Sequence, residues 1–293
     1  MSSKDNARME ISYGTVGFRD YSLEHAFEKI AAVGFTLVEL SSMEPHLDDI
    51  PTGASLERVK KSMRECGLRA GTVHAPLGEN VLGAPEESWR IEKVGVCSDY
   101  LRLSGELGAG GTVIHPVPNP MLLENVEHIG QEQAIVDAVR RSLDDLVPVA
   151  IESGVRMLLE NLPYENDGHY PLLSMTELRP LIEPYPQEAV GLVVDTGHAW
   201  TSGHNPVGEI KAAGERLWGT HLQDVDGENP QDNHWAPTQG NLNWHAIRQA
   251  LLDVNYRGNW TFEVIRPRDG HNESPDELAH ITFEAASKLE LHP

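Results

Sequence analysis

The sequence predicts an α/β protein, a (β/α)8 TIM barrel built by residues 1–293 as one domain, with residues 1–8 as a flexible polar tail. Three observations carry this expectation. Short apolar runs alternate with longer amphipathic stretches about eight times, the pattern of parallel strands joined by helical crossovers. The length of 293 residues is ordinary for such a barrel. Several of the apolar runs end on His, Asp or Glu, and a barrel makes those ends converge on the face where active sites lie.

Taken in order, Glu10 to Phe18 reads as a first strand that runs into a Gly-rich loop. Tyr21-Ser22-Leu23-Glu24 opens a helix with Ser22 as its N-cap. Ala26, Phe27, Ile30, Ala31 and Val33 follow at helical spacing, and Gly34 stops the helix. Thr36 to Leu40 is a short buried strand. Ser55 to Met63 is an amphipathic helix that ends near Gly67, and Leu68 to His74 is the third strand. Pro85 to Leu107 is a long helix closed by Gly108, and Thr112 to His115 is the fourth strand. Gln131 to Ser153 is a second long helix before Gly154, and Val155 to Glu160 is the fifth strand. A helix from Thr176 to Ile182 leads to the sixth strand, Val190 to Asp195. Pro206 to Gly214 is helical, Leu217 to His221 is the seventh strand, and Trp244 to Val254 is a helix. Trp260 to Val264 is the eighth strand, carrying Glu263, and Ser274 to Leu289 is the closing helix.

Composition narrows the function. With 23 basic and 45 acidic residues the net charge is −22, which repels phosphate backbones and argues against a nucleic-acid partner. No apolar run approaches the roughly 18 residues that span a bilayer, so no membrane partner is expected. The polar start, Met1 to Arg8, has no secretory character, and Cys66 and Cys97 read as buried thiols in a reducing cytoplasm.

The chemistry lies at the strand ends. The stretch His221 to His234 delivers a strand into a loop holding Asp224, Asp226, Asp232 and His234. The spacing of Asp232 and His234 lets two side chains of an extended loop face the same way. Glu160 and Asp195 each follow large apolar residues, Met157-Leu158-Leu159 and Leu192-Val193-Val194, so each faces desolvation and needs a partner or an ion. His74, His115, Glu160, Asp195, His221 and Glu263 all converge. Carboxylates with imidazole suit Mn²⁺, Co²⁺, Zn²⁺ or Fe²⁺, whereas Ca²⁺ prefers oxygen alone. A cation so held polarises a carbonyl and a neighbouring hydroxyl, and a flanking carboxylate moves the proton. Phe18, Trp200 and Trp235 suit either core positions or walls against which a sugar stacks. Arg266 and Arg268 suit either a solvated pair or an anchor for a carboxylate or phosphate. Glu39, after strand two, and His46 in the next loop are further candidates.

The motifs Thr72-Val73-His74-Ala75, Val113-Ile114-His115-Pro116, Leu159-Glu160-Asn161, Val194-Asp195-Thr196-Gly197-His198, Thr220-His221-Leu222-Gln223-Asp224, Asp232-Asn233-His234 and Phe262-Glu263-Val264 stand in this order along nearly the whole chain. Each is weak alone, and the series resembles the xylose isomerase-like TIM barrel superfamily, in the branch that joins sugar phosphate isomerases and epimerases with endonuclease IV. The resemblance to the isomerases implies one divalent ion on Glu160, Asp195, His221 and Glu263, with Mn²⁺ first and Co²⁺, Zn²⁺, Fe²⁺ or Mg²⁺ as alternatives. It also implies Glu160 and Glu263 as the acid/base pair acting through a metal-stabilised enediolate. His74, His115, His198, Asp232 and His234 are then polar contacts for a small-molecule sugar, and Trp200, Trp235 and Arg266 are candidate contacts beside them. The endonuclease branch binds three zinc ions and adds residues matching His74, His115, His198, Asp232 and His234, so the ligand inventory leaves that nuclease open as an alternative. A lyase or deglycosidase acting on an oxidised sugar is another. One departure bears on substrate: relatives resembling D-tagatose 3-epimerase carry an Arg where this chain has Gly227, six residues after His221. The sugar, the isomerase-or-epimerase outcome and a homo-oligomeric state are not set by the sequence.

Overall fold

The computed structural model describes residues 10–47, 49–78, 81–118, 131–164, 170–228, 231–265 and 273–291. Eight parallel strands close into a barrel in sequence order. They are β1 (Ile11–Gly14), β2 (Leu37–Ser41), β3 (Arg69–His74), β4 (Gly111–Ile114), β5 (Arg156–Glu160), β6 (Val190–Asp195), β7 (Leu217–Leu222) and β8 (Trp260–Phe262). Closure is direct: Ile11 on β1 pairs with Trp260 on β8. The crossovers hold α1 (Leu23–Val33), α2 (Gly53–Glu65), α3 (Glu87–Leu107), α4 (Glu132–Ser153), α5 (Met175–Ile182), α6 (Thr196–Thr201), α7 (Pro206–Ala213) and α8 (Trp244–Asp253), and α9 (Pro275–Lys288) follows β8. None of the helices described is long and apolar enough to cross a membrane.

Local signals explain the helix ends. Ser22 caps α1, its side chain accepting from the His25 amide, and Gly34 closes it in the left-handed region at φ 117°. Ser274 and Glu277 form a capping box that starts α9.

The interior is built by the period-two alternation of the strands. Val113, Leu158 and Val193, with Trp218 against them, form their own buried cluster. Two residues further along β5 and β6 stand Glu160 and Asp195, and two beyond Val113 stands His115. The apolar cluster is therefore the floor on which the strand-end side chains rest. Gly219 on β7 is part of that fit, because a Cβ there would lie 2.7 Å from a Val193 methyl. Below it the Arg156 guanidinium stacks 3.6 Å over the Trp218 ring. The larger core lies outside the barrel, where Phe27, Leu101, Leu143 and Ile247 from the helices pack on the strands.

Some sequence expectations shift. The first strand is only Ile11–Gly14, and Thr15–Phe18 is a 3-10 turn that buries Phe18 in the core beside Tyr13. His115 and Glu263 each stand one residue past the last residue of β4 and β8. Helix α6, directly after Asp195, was not expected from the sequence. Cys97 is buried, but Cys66 is only half-buried, because it caps the C-terminus of α2 at the surface. The expected tail, residues 1–8, lies outside the described residues.

Candidate active site

At the C-terminal mouth of the barrel, Glu160, Asp195, His221 and Glu263 each offer a ligand atom, and these atoms all lie within 4.8 Å of one another. All four are buried, Glu160 and Asp195 completely. Glu160 is the hub. Its Oε2 lies 3.4 Å from His74 Nε2 and 3.2 Å from His115 Nε2. Its Oε1 lies 3.3 Å from His198 Nδ1 and 2.8 Å from His221 Nδ1. Glu263 Oε2 stands 3.2 Å from the same His221 nitrogen. Three further groupings adjoin the quartet: His74, His221 and Glu263, and two outer ones, His74, His115 and Glu160, and His198, Asp232 and His234.

Asp195 is fixed from three sides. Its backbone amide donates to Asn161 Oδ1 at 2.8 Å and its carbonyl accepts from Asn161 Nδ2 at 3.0 Å. Its Oδ1 accepts from the His198 amide at 2.7 Å, which caps α6. Gln223 Nε2 donates to both carboxylate oxygens at 3.2 Å each, and reaches Asp232 Oδ1 at 3.3 Å. The other end of that amide, Oε1, accepts from the His234 amide at 2.8 Å. Gln223 thus ties Asp195 to the loop after β7. A Cβ on residue 197 would fall 2.4 Å from the Gln223 amide, so glycine is required there. The sequence reading missed Gln223, although it stands two residues after His221 and so shares its inward face.

Asp232 and His234 do converge, with His234 Nε2 3.1 Å from Asp232 Oδ1. The extended loop expected from their spacing is absent, because His234 is left-handed at φ 52°. The loop is organised instead by Asp224. It accepts from the Leu242 and Val225 amides on Oδ1, and from the Thr238 amide and Trp244 Nε1 on Oδ2. Asp224→Ala should orphan these donors and destabilise the protein by about 2–3 kcal/mol in chemical denaturation. An unchanged midpoint would show that the loop does not depend on Asp224.

Electrostatics follows from five imidazoles packed against acidic side chains. Burial pushes Glu160 up, but the His221, His115 and His198 rings outweigh it and hold the carboxyl well below the usual range. Burial likewise opposes ionisation of Glu263, yet His221 and His234 bring it down to about 2. Asp195 goes the other way: burial and the neighbouring Glu160 push it up to about 6 against the pull of His198. Burial disfavours the charged forms of His198, His221 and His234, but carboxylates win at each. His198 and His221 rise well above 6.5, and His234 rises to about 9. His115 is lowered by burial. Both Glu160 and Glu263 are therefore carboxylates at neutral pH. The donor set, three carboxylates and one imidazole, fits a hard or borderline divalent ion.

A pocket with about 290 Å³ of empty space, part of it open to solvent, lies beside this cluster. Gly14, Val16, Glu39, Ser41, Met43, His74, Leu77 and Glu263 are among its lining. Glu263 thus reaches the pocket wall, whereas Glu160 lies beneath it with no exposed surface.

A sequence profile describing the xylose isomerase-like TIM barrel matches residues 27–282. The chain belongs to that family. Among relatives of this xylose isomerase-like barrel, a D-psicose 3-epimerase of Enterocloster bolteae is 28% identical over 246 residues, 82% of this chain and 75% of the relative. A fructoselysine 3-epimerase of Escherichia coli O157:H7 is 22% identical over 265 residues, 88% of this chain and 90% of the relative. In fold, the barrel superposes on a crystal structure of D-psicose 3-epimerase, obtained in the presence of D-fructose, with a TM-score of 0.79 at 17% identity. That match covers 96% of this chain and 99% of the other.

The remaining sequence candidates of this xylose isomerase-like chain divide. Trp200 packs partly buried on the core, its Nε1 donating to the Gly227 carbonyl at 3.4 Å. Trp235 holds the loop after β7 through backbone hydrogen bonds to Asp224 in both directions. His46 is buried, with Nδ1 3.1 Å from Thr15 Oγ1. Arg266 and Arg268 lie outside the described residues.

Proposed function

We propose that this protein is a divalent-metal-dependent sugar isomerase or epimerase that moves a proton at the carbon next to a carbonyl. The observation that carries the reading is the buried quartet of Glu160, Asp195, His221 and Glu263, with Glu263 lining the pocket beside it. The epimerases among its relatives support a sugar as substrate. A divalent ion on the quartet, Mn²⁺ in the first instance, would supply Lewis-acid polarisation of the substrate carbonyl and its neighbouring hydroxyl.

The chain's own residues do the rest. Glu263, ionised and on the pocket wall, takes the proton from carbon. Glu160, at the bottom of the site, is the second carboxylate of the proposed acid/base pair. His74 lines the pocket and is positioned to bond a substrate hydroxyl, and His198, Asp232 and His234 present further polar groups from the β6 and β7 ends. The packed floor keeps water from below, which strengthens each of these interactions. Incubating the Mn²⁺-loaded protein with ketohexoses in deuterium oxide tests the reading: deuterium should enter beside the carbonyl. The two outer groupings of ligands also match an endonuclease of the three-zinc kind. A net charge of −22 opposes a duplex partner, so a metal-loaded sample should leave an abasic duplex intact at physiological salt. Incision of that duplex without deuterium uptake by any ketose would replace the proposal.

Metal uptake should depend on pH. His221 is raised well above 6.5 and Asp195 to about 6 when no ion balances the carboxylates. A ligand must lose its proton to bind, so protons compete with the ion and affinity should rise from pH 6 to pH 8. Calorimetry in buffers of different ionisation enthalpy should register proton release, and a pH-independent affinity without release would contradict it.

A further inference from the structure

The imidazoles of the site are oriented in two ways. His74, His198 and His234 each donate Nδ1–H to a backbone carbonyl: to Ala75 at 2.8 Å, to Asn161 at 2.9 Å and to Glu263 at 3.1 Å. Each then turns Nε2 toward a carboxylate, Glu160 for His74 and Asp232 for the other two. His221 is reversed. Its Nδ1 faces Glu160 and Glu263, at 2.8 and 3.2 Å, and its Nε2 faces Glu39 Oε1 and Oε2, at 3.0 and 3.1 Å.

Glu39 reaches His221 from across the barrel, since β2 and β7 are separated by β8 and β1. It is buried, and its Oε2 also accepts from Thr72 Oγ1 at 2.6 Å. The ladder between β2 and β3 slips at Val38/Glu39, and such an irregularity re-aims a side chain. A buried carboxylate directed at the outer nitrogen of an imidazole has a defined effect. A ligating nitrogen must be bare, so the ring proton must sit on the other nitrogen, and an acceptor there fixes the tautomer, locks the ring plane and makes the ligand more basic.

We propose that Glu39 is a positioning residue, which holds the Nε2–H tautomer of His221 and so presents Nδ1 to the ion site formed with Glu160, Asp195 and Glu263. Thr72 in turn holds Glu39. The inference rests on the metal-dependent reading above and adds to it a residue that is not itself a ligand.

The test uses the full chain, stripped of metal, as wild type, Glu39→Gln and Glu39→Ala. Mn²⁺ titration calorimetry should show affinity reduced about 10- to 100-fold in Glu39→Ala, the usual effect of losing such a partner. Glu39→Gln keeps the size and one acceptor oxygen without the charge, so its loss should be smaller and it keeps the test valid if Glu39→Ala does not fold. Nitrogen-15 spectra of the Zn²⁺-loaded wild type should show His221 as the Nε2–H tautomer. Mn²⁺ affinity equal to wild type in both variants, with or without a rise in KM, would overturn the role and make Glu39 a substrate contact or a packing residue. A wild type that binds no divalent ion would instead overturn the metal reading on which this one stands.

Discussion

Glu263→Gln should retain its bound metal and lose about 10²-fold or more in kcat, the scale of general acid–base catalysis. The expectation follows from position. Glu263 stands one residue past β8, on the same face as Thr261, and reaches the pocket, whereas Glu160 is sealed beneath four imidazoles. Its carboxyl, which His221 and His234 bring down to about 2, is ionised at neutral pH and so free to accept a proton. Glutamine preserves the volume and one oxygen ligand but does not accept a proton at neutral pH. Steady-state turnover beside elemental analysis of the same sample checks both halves. Near-normal kcat in a metal-loaded variant would remove Glu263 from the base role.

Asp195→Ala should bind far less than one equivalent of metal and lose turnover with it. Asp195 is the member of the proposed ligand set most bound up with its surroundings: it caps α6, accepts Gln223 through both oxygens and is clamped by Asn161. The truncation also leaves the Gln223 amide one partner short and uncaps a helix, so a fall of about 1 kcal/mol in stability should accompany it. Circular dichroism separates loss of metal from loss of fold. A folded Asp195→Ala protein with full metal stoichiometry would show that the quartet is misassigned.

The barrel and the converging side chains were legible because both rest on short-range periodicity. A strand that runs Leu158-Leu159-Glu160 announces its own end, and period two places Glu160 above Leu158 without knowledge of any other strand. What escaped was set by distant or irregular geometry. The partner of His221 on its Nε2 side is Glu39, 182 positions away, and nothing local to either residue signals that contact. Helix α6 is six residues long and is capped by Asp195, which the sequence presents as a candidate ligand rather than as a cap. The left-handed turn at His234 breaks the alternation by which its direction was first read. Gln223 was available to the same period-two rule that located Glu160 and was passed over because an amide titrates nothing.

The layer of Val113, Leu158, Val193 and Trp218 closes the barrel beneath the strand-end side chains, and among the described residues a pocket opens beside them that Glu263 lines. On the proposed reading, sugar and product pass through that pocket, and the ion shares it with them. A sugar seated against Glu263 therefore blocks the ion's exit, and chelators should strip metal more slowly from a turning-over sample than from a resting one. The same traffic rule sets an order: the ion is loaded first, and it stays while successive sugars come and go.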